Sequence, residues 1–67
     1  MNTVEIGKVL KELRKSKGLS QQELAIKIPV TRQAVSNWET GKSIPDCSVL
    51  KILSTIFDVS IDDIISK

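Results

Sequence analysis

Apolar residues recur at helical spacing along the chain, and no segment alternates apolar and polar residues as a strand does. The first apolar series stands at positions i, i+3, i+4 and i+7: Ile6, Val9, Leu10 and Leu13. This spacing predicts a helix over about residues 3–17, and Gly18, after a lysine-rich last turn, is expected to end it. Gly7 lies inside this helix, where its missing side chain is expected to permit a close helix contact, at some cost in helix propensity.

A capping motif marks the start of a second helix. Ser20 and Glu23 have the spacing of a capping box, which predicts that this helix begins at about residue 21. Its buried side is expected to contain Leu24, Ala25 and Ile28. Pro29 has no N–H to donate and disfavours helical geometry in the residue before it, so the helix is expected to end at Ile28.

The third helix follows after a very short connection. Thr31 is its expected N-cap, and the helix runs to about Thr40, with Gly41 at its exit. The few residues around Pro29 leave no room for a full loop, so the second and third helices are expected to cross at a steep angle. The small side chain of Ala25 would let the two backbones approach at this crossing.

Two further helices complete the chain. Pro45 and Asp46 open the fourth, whose apolar residues at helical spacing are Val49, Leu50, Leu53 and Ile56. Ser60 and Asp63 form a variant capping box, which predicts a short fifth helix. The apolar residues of this last helix are Ile61, Ile64 and Ile65. The chain shows no repeat or linker, so we expect residues 1–67 to form one compact all-α domain of five helices.

Composition excludes several classes of protein. The chain has 67 residues, no histidine and a single cysteine, Cys47, which rules out an internal disulfide, a zinc finger and histidine-based catalysis. No apolar run approaches the length of a membrane span or a signal peptide, so we expect a cytoplasmic protein. Asp62 and Asp63 would point about 100° apart on a helix and do not converge as a catalytic pair. We therefore expect neither an enzyme nor a bound metal or cofactor, and we expect Cys47 to be a buried or half-buried residue near a helix start.

Charge is distributed unevenly along the chain. Residues 8–42 contain eight basic and three acidic residues, whereas the remainder contains two basic and five acidic ones. This asymmetry favours a molecule with one face for a polyanion, although solubilising charge on helix surfaces would give a similar pattern.

The third helix carries the side chains best suited to recognition. At about 100° per residue, one arc of about 140° contains only polar residues without a carboxylate: Arg32, Gln33, Ser36, Asn37 and Thr40. The opposite side is apolar and is expected to face the core: Ala34, Val35 and Trp38. Arginine can form two hydrogen bonds to guanine, and glutamine or asparagine two to adenine, so the polar arc favours reading base edges in a major groove.

Several segments together resemble a known family. The segments are Leu19–Ala25 (LSQQELA), Val30–Glu39 (VTRQAVSNWE), Gly41, Pro45 and Phe57–Ile64 (FDVSIDDI). They resemble the Cro/lambda-repressor-like helix-turn-helix family, also called the xenobiotic-response-element class, over about residues 6–65. The resemblance implies a five-helix domain with its helix-turn-helix at about residues 21–40. It also implies a bacterial or phage-type regulator of transcription, usually a repressor, that binds double-stranded operator DNA, usually at two-fold sites.

The resemblance assigns roles to individual residues. The residues matching base-contacting positions are Arg32, Gln33, Ser36 and Asn37. The residues matching phosphate-contacting positions are Gln21, Thr40, Lys42 and Ser43, and we expect Thr31 to contact a phosphate as well. Arg14 and Glu39 resemble a pair that links the first helix to the end of the third near DNA; alternatively, Glu39 is an exposed residue held only by Lys42. The expected core anchors are Leu24, Ala25, Val35 and Trp38; alternatively, the Trp38 N–H reaches a phosphate.

Three questions stay open at this point. The family commonly has glycine where Pro29 stands, so either the turn follows a different backbone path or the second helix ends one residue early. The isoleucines of the fifth helix either close the core or leave one residue outward as a homodimer surface. The same fold also serves in protein-interaction and antitoxin-type modules, which is the alternative to DNA binding.

Overall fold

The computed structural model describes residues 3–65, which form five α-helices. The helices are α1 (Thr3–Ser16), α2 (Gln21–Lys27), α3 (Arg32–Glu39), α4 (Cys47–Phe57) and α5 (Ile61–Ile65). No strand occurs in this part of the chain, and the molecule measures 25 × 24 × 21 Å. The all-α, five-helix prediction is therefore confirmed; residues 1, 2, 66 and 67 of the predicted domain lie outside the described residues.

Both predicted capping boxes are present. The Glu23 N–H donates to the Ser20 hydroxyl over 3.0 Å, and the Ser20 N–H donates to the Glu23 carboxylate over 2.8 Å. The Ser20 N–H bond is the main cause that lowers the pKa of Glu23 from its ordinary value, because it stabilises the ionised carboxylate. At α5 the Asp63 N–H donates to the Ser60 hydroxyl, and the Ser60 N–H donates to the Asp63 carboxylate. These motifs fix where α2 and α5 begin.

The start of α4 depends on one carboxylate. The Asp46 side chain accepts the Val49 N–H over 3.0 Å and the Ser48 hydroxyl over 2.7 Å. These two bonds lower the pKa of Asp46 from its ordinary value, with the backbone N–H as the larger cause. The N-cap is therefore strongest when Asp46 is ionised.

Residues in left-handed backbone conformation end three of the helices. Gly18 and Gly41, which follow α1 and α3, have φ values of 69° and 79°. Asp58, which follows α4, also has a left-handed backbone conformation, with φ 55°. Aspartate tolerates this conformation better than most residues with a Cβ, so the chain turns here without a glycine.

The core lies where α3 packs against α1 and α2, and α5 closes it against α1 and α4. Its buried apolar residues are Ile6, Leu10, Leu24, Ala25, Ile28, Val35, Trp38, Leu50, Leu53, Phe57 and Ile64. Gly7 provides the closest approach of two helices: a Cβ there would overlap the Trp38 carbonyl oxygen and lie 2.9 Å from that of Glu39. The expected close contact at Gly7 is thus confirmed, and it fixes α3 directly against α1.

Two expectations are wrong in detail. Ile28 keeps right-handed helical angles, φ −84° and ψ −17°, because its N–H still bonds to Leu24 and its side chain is buried. Cys47 is exposed, because it begins α4 on the side away from the core. On α4 the core also includes Phe57, which lies outside the apolar series predicted from spacing, and Val49 and Ile56 pack against it half-buried.

Candidate nucleic-acid interface

Helix α3 has one buried face and one polar face. Val35 is fully buried and Trp38 is 6% exposed, so this face anchors the helix in the core. On the other face Arg32 and Gln33 are exposed, and Ser36 and Asn37, nearer the edge, are half-buried. The polar residues predicted to share one arc therefore do share one accessible side of the molecule. The indole of Trp38 packs in the core, as expected of a core anchor.

A nearly buried ion pair joins α1 to the end of α3. Arg14 Nε and Nη2 donate to Glu39 Oε2 and Oε1 over 2.6 and 3.1 Å, and Arg14 Nη1 donates to the Leu19 carbonyl over 2.7 Å. The Arg14 side chain is 10% exposed and that of Glu39 is 3% exposed. Glu39 is therefore neither exposed nor held only by Lys42. The hydrogen bond with Glu39 raises the pKa of Arg14 above its ordinary value despite the opposing effect of burial.

The same carboxylate also orients Gln21 at the start of α2. Gln21 Nε2 donates to Glu39 Oε1 over 3.1 Å, and Arg32 Nη1 donates to Gln21 Oε1 over 3.5 Å. Because Glu39 can only accept hydrogen bonds, the amide nitrogen of Gln21 must face it and the amide oxygen must face Arg32. The first residues of α2 and α3 and the last residue of α3 are thereby joined into one polar network. Sequence reasoning missed the Gln21 and Leu19 contacts, since both depend on tertiary placement.

Hydrogen bonds within α3 hold further polar side chains in place. Gln33 Nε2 donates to Asn37 Oδ1 over 3.1 Å, which pairs two amides one helical turn apart. The Thr40 hydroxyl donates to the Ser36 carbonyl over 2.9 Å. This face can present hydrogen-bond donors and acceptors to a ligand without a carboxylate among them.

The loop after α3 folds back over the end of that helix. The N–H groups of Lys42 and Ser43 both donate to the Asn37 carbonyl, over 2.9 and 3.3 Å. Lys42 and Ser43 are exposed, so a cation and a hydroxyl lie beside the polar face of α3. At the other end of α3 the Thr31 hydroxyl accepts the Ala34 N–H over 3.1 Å and caps the helix.

The turn between α2 and α3 does not need a left-handed residue. Within residues 3–65 only Gly18, Gly41 and Asp58 have positive φ, so Pro29 follows a different path from a glycine-containing turn. The Val30 N–H donates to the Ala25 carbonyl over 2.8 Å, which closes the turn across Pro29. The α2 helix itself ends at Lys27, one residue earlier than expected, and it still packs against α3.

Helix α5 and the remaining surface add little to this interface. Ile64 is fully buried, whereas Ile61 and Ile65 pack against the core half-buried, with part of each side chain exposed. None of the helices in residues 3–65 combines the length and the apolar character that crossing a bilayer requires. Over the same residues, no group of three or more acidic, cysteine or histidine side chains could hold a metal ion.

Comparisons with known protein sequences all point to the same family. A helix-turn-helix family model matches residues 10–64. The chain is 41% identical over 63 residues to the HTH-type transcriptional activator BcrR of Enterococcus faecalis, covering 94% of this chain and 31% of that protein. It is 46% identical over 56 residues to the SPbeta prophage-derived HTH-type regulator YonR of Bacillus subtilis, covering 84% of this chain and 52% of that one. The chain thus spans about a third to a half of the length of these relatives.

Solved structures agree with the same assignment. The restriction-modification controller protein C.AhdI of Aeromonas hydrophila superposes with a TM-score of 0.84 at 32% identity, covering 92% of this chain and 94% of that one. The clp gene regulator ClgR of Corynebacterium glutamicum superposes with a TM-score of 0.82, covering 98% of this chain and 86% of that one; at 23% identity this likeness concerns the fold alone. The chain belongs to the Cro/lambda-repressor-like class of the helix-turn-helix family, a family of DNA-binding transcription regulators rather than enzymes.

Proposed function

We propose that this domain binds specific double-stranded DNA by placing α3 in the major groove of an operator. The observation that carries the proposal is the polar face of α3, whose opposite face is locked in the core by Val35 and Trp38. A helix held in this way can enter the groove as a rigid body, and its exposed side chains then meet the base edges. The base-contacting residues we propose are Arg32, Gln33, Ser36 and Asn37.

Phosphate contacts would surround this helix. The residues we propose for them are Gln21, Thr31, Thr40, Lys42 and Ser43. They lie at the starts of α2 and α3 and in the loop after α3, on both sides of the recognition face. The first N–H groups of α3 lack partners within the helix and would add donors to a phosphate oxygen. Arg14 and Glu39 would hold the starts of α2 and α3 in register for these contacts.

The wider role follows from this mode of binding. We propose that the domain acts in the cytoplasm of a bacterium or in a phage-infected cell, and that two copies occupy a two-fold operator. Repression is the sign we propose, because a domain that covers promoter DNA excludes other proteins without further contacts. The relative BcrR is named an activator, so the effect on a promoter needs its own measurement in a reporter assay.

The test begins with selection of bound sites from random duplex DNA. At the selected site, Arg32→Ala and Gln33→Ala should each weaken binding by about 1–3 kcal/mol, with little change on unrelated DNA. Lys42→Ala should weaken binding to both DNAs alike and reduce the slope of log affinity against log salt by about one. Lys51→Ala removes an exposed lysine on α4, outside the proposed interface, and should change neither.

Two results would contradict the proposal. Equal losses on specific and unrelated DNA for Arg32→Ala would refute the base-reading role. Absence of any binding to duplex DNA at low salt would refute DNA binding itself and would favour a protein-interaction or antitoxin-type module.

A further inference from the structure

Gln21 lies between the nearly buried ion pair and the first residue of α3. Its amide nitrogen donates to Glu39, and its amide oxygen accepts from Arg32. A carboxylate only accepts hydrogen bonds and a guanidinium only donates them, so these two neighbours allow a single orientation of the Gln21 amide. The Glu39 side chain is 3% exposed and is itself held by Arg14, so this end of the chain of contacts is fixed in place.

The second amide contact on this surface has no such fixed sense. Gln33 Nε2 donates to Asn37 Oδ1. Because each amide has both donors and an acceptor, exchanging the two roles gives an equivalent hydrogen bond. This pair can turn either a donor or an acceptor toward DNA, whereas the contact between Gln21 and Arg32 selects one arrangement.

The contact with Gln21 uses only one nitrogen of the Arg32 guanidinium. Within residues 3–65, Nε and Nη2 of Arg32 donate to no other group, and the residue is exposed. These two nitrogens form a fork of parallel N–H donors, which matches O6 and N7 on the major-groove edge of guanine. Adenine presents N7 beside an amino group, so one N–H of the fork would face another donor there. Arg32 is also the first residue of α3, the end at which a recognition helix meets base edges.

We propose, on the basis of the DNA-binding function proposed above, that Gln21 is a specificity-determining residue that positions Arg32 to read a guanine of the operator. The Gln21 amide restricts the guanidinium before DNA arrives, so less conformational freedom is lost when Arg32 binds the base. At 3.5 Å the bond is at the long limit for a hydrogen bond, so the contribution of Gln21 is smaller than that of the guanine contact itself. The second N–H of the Gln21 amide can still donate to a phosphate oxygen.

Affinities for a set of altered operators test this assignment. Each base pair of the site selected from random duplex DNA is replaced in turn, and the position read by Arg32 is the one whose base preference disappears in Arg32→Ala. At that position the wild-type domain should prefer guanine over adenine by about tenfold. Arg32→Lys should lose most of this preference, because an ammonium group lacks the planar fork that makes two parallel hydrogen bonds.

Gln21→Leu separates positioning from a phosphate contact. It removes both hydrogen bonds and should lower the guanine preference about threefold, because the guanidinium is then less restricted. In a chain that already contains Arg32→Ala, the same change should have no further effect on that preference. Gln22→Leu is the matched control, because it makes the same substitution at the neighbouring, exposed glutamine of α2 and should leave the preference unchanged. Gln21→Ala repeats the test with a smaller side chain, and circular dichroism checks that each variant is folded.

The possible outcomes distinguish this assignment from DNA binding itself. A preferred base other than guanine at the position read by Arg32, or no position at which Arg32→Ala changes the preference, would overturn the reading of guanine. Equal losses on all operators for Gln21→Leu and Gln21→Ala, with the base preference unchanged, would leave Gln21 as a phosphate contact only. In each of these cases the wild-type domain still selects a specific site, so the proposed function stands. A wild-type domain that selects no site would refute both proposals.

Discussion

Replacing Gly7 by alanine tests how closely α1 and α3 are packed. In most helices this change is stabilising, because glycine is less favourable than alanine by about 1 kcal/mol. Here the new methyl group would overlap the Trp38 carbonyl oxygen and lie 2.9 and 3.0 Å from the carbonyl oxygen and carbon of Glu39. All three atoms belong to the backbone of α3, so no side-chain rotation can relieve the contact.

The magnitude follows from two opposing contributions. Forcing a methyl group into a packed contact costs roughly 1–3 kcal/mol, with the upper end expected where backbone must move. Subtracting the gain of about 1 kcal/mol in helix propensity leaves a loss of about 2 kcal/mol in the free energy of unfolding. For a domain of this size that corresponds to a fall in Tm of about 8–16 °C.

Thermal and urea unfolding followed by circular dichroism would measure this loss. The baseline comes from Lys11, an exposed residue on the same helix: Lys11→Gly should be about 1 kcal/mol less stable than Lys11→Ala. If Gly7→Ala instead raises stability by that amount, α1 and α3 do not pack as closely as described. The substitution should also weaken specific DNA binding, since the displaced residues Trp38 and Glu39 belong to α3.

Two further predictions concern the Arg14–Glu39 pair and the α4 cap. Glu39→Ala should destabilise the domain by about 2–4 kcal/mol, because it leaves the nearly buried Arg14 without its carboxylate. The double variant Arg14→Met with Glu39→Leu should be less harmful than Glu39→Ala alone, as urea unfolding of both variants would show; equal losses for the two would contradict this. Asp46→Ala should lower Tm at neutral pH, and the difference from wild type should shrink as the pH falls below the ordinary value of 3.8. The pKa of Asp46 is lower in the folded state than in the unfolded state, so the ionised cap stabilises the fold fully above the unfolded-state pKa. This stabilisation is lost as the pH falls through the folded-state pKa. A stability difference that does not depend on pH would refute the role of the ionised cap.

Much of the local structure could be predicted from neighbouring residues. Capping by Ser20, Thr31 and Asp46 uses side chains within three residues of the N–H groups that they bond, so short sequence motifs reveal it. The polar and apolar sides of α3 follow from helical periodicity in the same way. Asp58 escaped prediction because a left-handed end without glycine has a weaker sequence signal.

The sequence by itself determined which segments are helical, where they begin, and which side of α3 is polar, because these features depend on contacts a few residues apart. Only the tertiary structure decided that Glu39 binds both Arg14 and Gln21, since their separations of 25 and 18 residues leave no periodic signal. It also decided that Cys47 is exposed and that, of the isoleucines of α5, Ile64 alone is fully buried, because burial depends on which helices cover a surface. The polar residues of α3 thus came from local pattern, whereas the network that orients them came from the packing of three helices.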